Sequence, residues 1–152
     1  TTALLSPVEF MKATVDGMVQ RGWGRVVNIS TAAAKYPTEV RLLSGPPRAA
    51  LSNYTAAVAR KVARHNVAIN NVLPGMFHTA ATADRFTALA ARNGTTYDEE
   101  VQKFAKDWRI PARRFGDPDE LGALVALLCS QYAGFTVGQS FVVDGGIGIG
   151  TF

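Results

Sequence analysis

The sequence predicts an α/β fold built on a parallel sheet, and three observations carry that expectation. Short β-branched runs alternate with helical segments in the order strand, helix, strand, helix, strand, the pattern of parallel strands joined by crossovers. The first run, Arg25 to Ser30, is short and β-branched with little polar alternation, as suits a strand covered on both faces. A sheet of three such strands would keep an apolar edge that invites aggregation, so the pattern reads as one half of a larger sheet.

The elements follow in order. Ser6-Pro7-Val8-Glu9 places a capping serine, a proline at the first helical position and a glutamate three residues past the cap. Phe10, Val15, Met18 and Val19 then form an apolar stripe that Gly22-Trp23-Gly24 ends. After the first strand, Thr31 to Leu43 reads as a loop, and Gly45-Pro46-Pro47 opens a long helix to about Arg64, with Ala50, Leu51, Tyr54, Ala57, Val58 and Val62 at helical spacing. Val67 to Leu73 is the second strand, stopped by Pro74-Gly75. The polar stretch from Met76 to Ile110 suits two helices around Asn93-Gly94. Asp117-Pro118-Asp119-Glu120 opens a helix through Leu121, Leu124, Val125 and Leu128, and Gln139 to Val143 is a last strand closed by Asp144-Gly145-Gly146.

Composition bounds the class. The 152 residues are 47% hydrophobic and 18% charged, which is too apolar for a disordered chain and enough for one domain with a core. No repeat, linker or domain boundary is visible, so residues 1–152 are read as one unit. The formal charge of +4 is mild, no apolar run is long enough to span a membrane, and the start lacks a signal-peptide pattern. Cys129 is the single cysteine and can form neither an internal disulfide nor a zinc site, so a cytoplasmic protein is expected.

Four segments, in order, resemble the C-terminal half of the short-chain dehydrogenase/reductase family. Gly24-Arg25-Val26-Val27-Asn28-Ile29-Ser30 is similar to the strand leading into that family's catalytic serine, and Ala49-Ala50-Leu51 to Ala59 resembles the helix after its tyrosine and lysine. Asn66 to Gly75 followed by Thr79 resembles the I-x-V-N-x-V-x-P-G-x-x-x-T segment. Arg114 to Glu120 and Gly138 to Gly146 resemble the C-terminal signature with its V-D-G-G ending. The resemblance implies the C-terminal half of a doubly wound, Rossmann-type parallel sheet. The family's phosphate turn, T-G-x-x-x-G-I-G, and its N-N-A-G strand end belong to an N-terminal half of roughly a hundred residues that is absent from this sequence. Gly146-Ile147-Gly148-Ile149-Gly150 has the wrong spacing to replace that turn and reads as a flexible tail.

What the resemblance implies chemically is hydride transfer between NAD or NADP and a small carbonyl or alcohol, as in a 3-oxoacyl reductase. In that family a tyrosine moves the proton, a lysine lowers its pKa and holds the nicotinamide ribose, a serine positions the substrate oxygen, and an upstream asparagine completes a relay. Carried over by position, the serine falls on Thr31, with Ser30 beside it, the tyrosine on Ser44, the lysine on Arg48 and the asparagine on Ala3. Thr31, Ser44 and Arg48 are therefore the candidate catalytic residues, and Arg48, Pro74, Gly75 and Thr79 the candidate cofactor-binding ones. An aliphatic hydroxyl is a weaker acid than a phenol, and a guanidinium stays charged while donating hydrogen bonds to ribose, phosphate or an oxyanion. The plainer alternatives are a helix cap for Ser44, a solvated first-turn arginine for Arg48, strand-end bonding for Thr31, and a turn and cap at Pro74-Gly75 and Thr79. Tyr36 could supply a phenol from the loop, or be an exposed loop aromatic.

Other candidates weigh less. His65 and His78 lie far apart and suggest hydrogen-bonded or solvated rings, not a metal pair. Cys129 reads as an inward core thiol. Arg109, Arg113 and Arg114, near Trp108 and Phe115, read as a solvated or interface cluster, not a nucleic-acid site. A small-molecule substrate is expected, with no nucleic acid and no membrane, and a homodimer or homotetramer formed through the first two helices is implied by the resemblance. Two rivals stay open: a non-catalytic nucleotide-binding or scaffold member of the family, and a non-redox isomerase or dehydratase with Arg48 stabilising an enolate.

Overall fold

Strand β2 (Val67–Pro74) lies at the centre of the structure, and its residues from Val67 to Leu73 are all buried. The computed structural model describes residues 2–150. Around β2 the chain runs α1 (Leu5–Gln20), β1 (Gly24–Ile29), α2 (Gly45–Val62), then after β2 the helices α3 (Ala80–Asn93), α4 (Tyr97–Asp107) and α5 (Pro118–Cys129), and finally β3 (Ser140–Val143). The three strands are parallel in the order β1-β2-β3, with Gly24 opposite Val67 through Ile29 opposite Val72, and Asn71 opposite Ser140 through Pro74 opposite Val143. The expected alternation and parallel pairing are both present.

Side-chain parity distributes the core. Val67 and Ile69 point to the face covered by α1 and α2, where they meet Met11, Val15, Leu51, Ala59 and Val62. Val72 points to the other face, against Leu128 of α5, with Val27, Leu124 and Val125 alongside. A third cluster, Phe86, Val101, Ala105, Ile110 and Phe115, holds α3 and α4 together beyond the C-terminal end of β2.

Two buried asparagines interrupt the apolar run of β2, and each has a partner at both its Oδ1 and its Nδ2. Asn70 donates to the Thr136 carbonyl at 2.8 Å and accepts from the Gln139 amide at 2.9 Å. Asn71 accepts from Asn28 Nδ2 and donates to Ser140 Oγ, each at 3.1 Å, so one side chain links all three strands. Strand β1 departs from the expectation of two covered faces. It forms the edge of the sheet, its middle residues are only half-buried, and Ile29 is 54% exposed.

Several local expectations need correction. Ser6 does not cap α1: the helix starts at Leu5, with Leu4 at the cap and no side-chain cap bond. Leu4 and Val8 pack against the core there, and that burial outweighs a serine cap. Phe10 is exposed and the adjacent Met11 takes the inward place. Cys129 is also exposed, because the inward phase of α5 passes through Leu128 and the next residue is turned about 100° away. The capping box at Asp117 and Glu120 forms as expected, and Gly94, at φ 67°, ends α3 in the left-handed region. No described helix is long and apolar enough to cross a membrane.

Replacing Asn71 by alanine would orphan Ser140 Oγ and remove the link between β1 and β3. Urea denaturation should show a loss of about 1–3 kcal/mol, larger than that of Ser140→Ala, which removes only one of the two bonds.

Candidate active site

The strands β1 and β2 end side by side, and the candidate site is built where they stop. Ser30 extends the ladder by donating to the Val72 carbonyl at 2.8 Å. Thr31 follows in extended conformation and caps a tight turn over Ala32–Ala34, its hydroxyl accepting from the Ala33 amide at 3.5 Å. The Thr31 hydroxyl proton is thus left to donate elsewhere. Ser30 Oγ is buried without a partner among the described residues.

Close backbone approaches hold this turn against its neighbours. A Cβ on Gly45 would lie 2.8 Å from the Ala33 carbonyl oxygen, so glycine lets the start of α2 reach the Thr31 turn. A Cβ on Gly75 would lie 2.7 Å from Asp144 Cβ, so glycine likewise lets the end of β2 run against the end of β3. Gly75 also donates to the Val143 carbonyl at 2.9 Å. Asp144 is buried, and its carboxylate accepts from the Gly146 and Gly148 amides at 2.9 and 2.8 Å. The segment expected to be a flexible tail is therefore folded back, with Ile147 packed on the α3–α4 cluster. Sequence reasoning missed Asp144; the signal was an acidic residue followed by glycines able to turn their amides back onto it.

Four of the six predicted site residues fall in two cavities that share no lining residue. Thr31, Pro74 and Gly75 line one of 100 Å³ together with Tyr36, Arg41 and Trp108. Arg48 lines the other, a cleft of 540 Å³ along the free edge of β1 beside Asn28, Ile29 and Phe10, and Ala3 contributes only a methyl group there. Ser44 lines neither. It occupies the cap position of α2 without a capping bond. Instead its hydroxyl and its carbonyl accept from Arg48 Nη1 at 3.0 and 3.1 Å. Ser44 thus serves as the acceptor that orients the Arg48 guanidinium. Arg48 keeps further N–H donors unengaged within the described residues, a donor set that fits a ribose hydroxyl or a phosphate. Thr79 caps α3, accepting from the Thr82 amide at 3.2 Å.

The remaining polar candidates lie outside both cavities. His78 Nδ1 meets the Tyr97 hydroxyl at 2.7 Å, and burial, helped by Asp98, pushes the Tyr97 phenol above its usual range. His65 accepts from Arg64 Nε at 3.0 Å. Arg109 and Arg113 are solvated residues at positive φ, 50° and 57°, whereas Arg114 forms a bidentate pair with Glu120 at 2.6 and 2.7 Å. That pairing and the Asp117 amide hold the Glu120 carboxyl down at about 2.

A parallel sheet with helices on both faces, and a Pro-Gly turn at the strand ends, places the chain in the class of doubly wound, Rossmann-type α/β folds. The sequence profile of the family described as enoyl-(acyl carrier protein) reductase matches residues 1–148. The chain belongs to that family, within the short-chain dehydrogenases/reductases. It is 32% identical over 149 residues to an acetoacetyl-CoA reductase from Cupriavidus necator, covering 98% of this chain and 55% of the relative. A 2-keto-3-deoxy-L-fuconate dehydrogenase from Xanthomonas campestris is 33% identical over 136 residues, which is 89% of this chain and 43% of the relative. Among solved structures, a 3-oxoacyl (acyl-carrier-protein) reductase from Agrobacterium tumefaciens with NADP bound matches with a TM-score of 0.81 at 30% identity, over 95% of this chain and 52% of that one. An L-sorbose reductase from Gluconobacter frateurii, complexed with NADPH and L-sorbose, matches with a TM-score of 0.86 at 28% identity, over 94% and 54%. The chain thus spans about half the length of the relatives it matches.

Glu120 gives a pH test. Its folded pKa of about 2 lies below the ordinary 4.5, so the ionised carboxylate stabilises the fold fully above about 4.5, and this contribution fades as the pH falls toward 2. Acid-unfolding curves of Glu120→Gln should be flatter than wild type across that window and should start from a lower stability at neutral pH.

Proposed function

We propose that this chain forms the substrate-side half of an oxidoreductase that transfers hydride between NAD or NADP and a small carbonyl or alcohol. The observation that carries this reading is one cavity, at the C-terminal ends of parallel strands, shared by the Thr31 hydroxyl and the Pro74-Gly75 turn. Bound NAD(P) would supply the hydride acceptor or donor. Thr31 donates a hydrogen bond to the substrate oxygen. Arg48, oriented by Ser44, supplies fixed positive charge and hydrogen-bond donors to ribose or phosphate. Pro74 and Gly75 shape the wall against the nicotinamide end, and Thr79 presents the start of α3 nearby. The relatives' names make a 3-oxoacyl or acetoacetyl thioester a reasonable first substrate class.

The free edge of β1 supports a second part of the same reading. Its half-buried Val26 and Val27, its exposed Ile29 and the cleft beside them suit one further parallel strand, supplied by the other half of a full-length family domain. Exposed Leu5 and Phe10 on α1, at 53% and 73%, suit an interface in a homodimer or homotetramer.

Ser44 Oγ is already occupied by Arg48, and this favours one alternative: a member that binds nucleotide without turnover. The full-length protein should bind NADPH or NADH and oxidise it with acetoacetyl-CoA or with one of a panel of short carbonyls. Arg48→Ala should weaken dinucleotide binding about tenfold or more, the loss of a charged hydrogen bond. Binding without turnover would favour the alternative over the proposal, and the absence of both binding and turnover would overturn the two together. Product formed with no change in dinucleotide absorbance would point to the non-redox reaction.

A further inference from the structure

The geometry points to Tyr36, not Ser44, as the group that exchanges the proton with the substrate oxygen; this rests on the oxidoreductase reading above. A tight turn brings the phenol back toward Thr31, because the Lys35 and Tyr36 amides both donate to the Ala32 carbonyl, at 3.0 and 2.9 Å. Tyr36 and Thr31 consequently line the same cavity at the strand ends, with Pro74 and Gly75 as its other wall. Ser44 is not among the residues lining that cavity, and its hydroxyl is held by the Arg48 guanidinium at 3.0 Å.

The ring of Tyr36 is also held in place. It is half-buried against Gly148, where any Cβ would collide with Cδ2, Cε2 and Cζ of the ring. Gly148 is fixed in turn by the hydrogen bond that its amide N–H donates to the Asp144 carboxylate at 2.8 Å. The positioning chain therefore runs from the buried Asp144, through Gly148, to the phenol. No described residue hydrogen-bonds the Tyr36 hydroxyl, which leaves its proton available for a ligand in the cavity. The charged groups around it are Lys35, whose ammonium lies 5.7 Å from the ring centroid, and Arg41 and Asp144, which line the same cavity. A phenol is a far stronger acid than an aliphatic hydroxyl and meets the need for a general acid with no rearrangement of Ser44.

The step balances in the direction of reduction. The carbonyl carbon gains a hydride from a reduced nicotinamide dinucleotide, which is thereby oxidised, and the carbonyl π pair moves onto oxygen. Thr31 Oγ–H bonds to that oxygen, the Tyr36 Oη–H bond breaks, and its proton completes the alcohol O–H. The phenolate recovers a proton from solvent.

The test uses full-length protein with NADPH and acetoacetyl-CoA or the most active carbonyl of the panel. Tyr36→Phe should lower kcat by about a hundredfold or more, while the NADPH Kd read from fluorescence stays within about threefold of wild type. The alkaline limb of the wild-type pH profile should be missing from the residual activity. A second readout needs no turnover: nitration of Tyr36 by tetranitromethane, mapped by mass spectrometry, should be suppressed when NADP and acetoacetyl-CoA are both present. Wild-type kcat in Tyr36→Phe, or nitration indifferent to both ligands, overturns the assignment and leaves the oxidoreductase reading standing. A wild-type protein without any dinucleotide-linked turnover overturns both together.

Discussion

Strand β2 must be covered on two faces and bonded along two edges, and every other element is placed by that demand. Val67 and Ile69 require an apolar cover on one side, which α1 and α2 supply, and Val72 requires one on the other, which α5 supplies. The polar pair Asn70 and Asn71 could not be buried unless each found partners, because an unsatisfied amide in such a place costs about 1–3 kcal/mol. The Thr136–Ser140 segment and Asn28 provide those partners, so the same residues that satisfy the asparagines also fix the register of the neighbouring strands.

The site is a consequence of this arrangement. Parallel strands end together, so the Thr31 turn and the Pro74-Gly75 turn arrive side by side although more than forty residues separate them in the chain. Side chains and backbone then close in only because two glycines remove obstructing carbons, Gly45 against Ala33 and Gly75 against Asp144. Asp144 joins the two levels: it packs against the end of β2 and, by gathering the amides of Gly146 and Gly148, folds Ile147 against the cavity. A single buried carboxylate thereby shapes the wall on which Tyr36 rests.

Much of this was legible in the sequence, and the failures share a cause. The strands, the long helix after Gly45-Pro46-Pro47, the break at Asn93-Gly94 and the capping box at Asp117 all rest on local periodicity and cap chemistry, which a single segment carries. Ser6 failed as a cap because Leu4 and Val8 are held by residues from other elements. Cys129 was placed inward by a helical phase that is off by one position, and only contact with the sheet decides that phase. Thr31, Ser44 and Arg48 were singled out by position alone, and the hydrogen bond between Ser44 and Arg48 was not foreseen. That Thr31 and Arg48 line different cavities depends on which way each backbone turn aims its side chain, and that information lies in the packing of the Ala32–Ala34 turn against α2.

The edge of β1 shows the division most plainly. By itself, the sequence determined that Arg25 to Ser30 is a strand apolar enough to want cover on both faces, and that such a strand belongs in a parallel sheet, because hydrophobic pattern is a property of the segment. Only the tertiary structure decided that β1 lies at the edge, half-buried beside an open cleft, with Thr31 and Tyr36 gathered at the end of the sheet. Edge or centre is settled by which surfaces are left over once β2 has taken its two partners, and that is a relation between distant segments that no local pattern encodes.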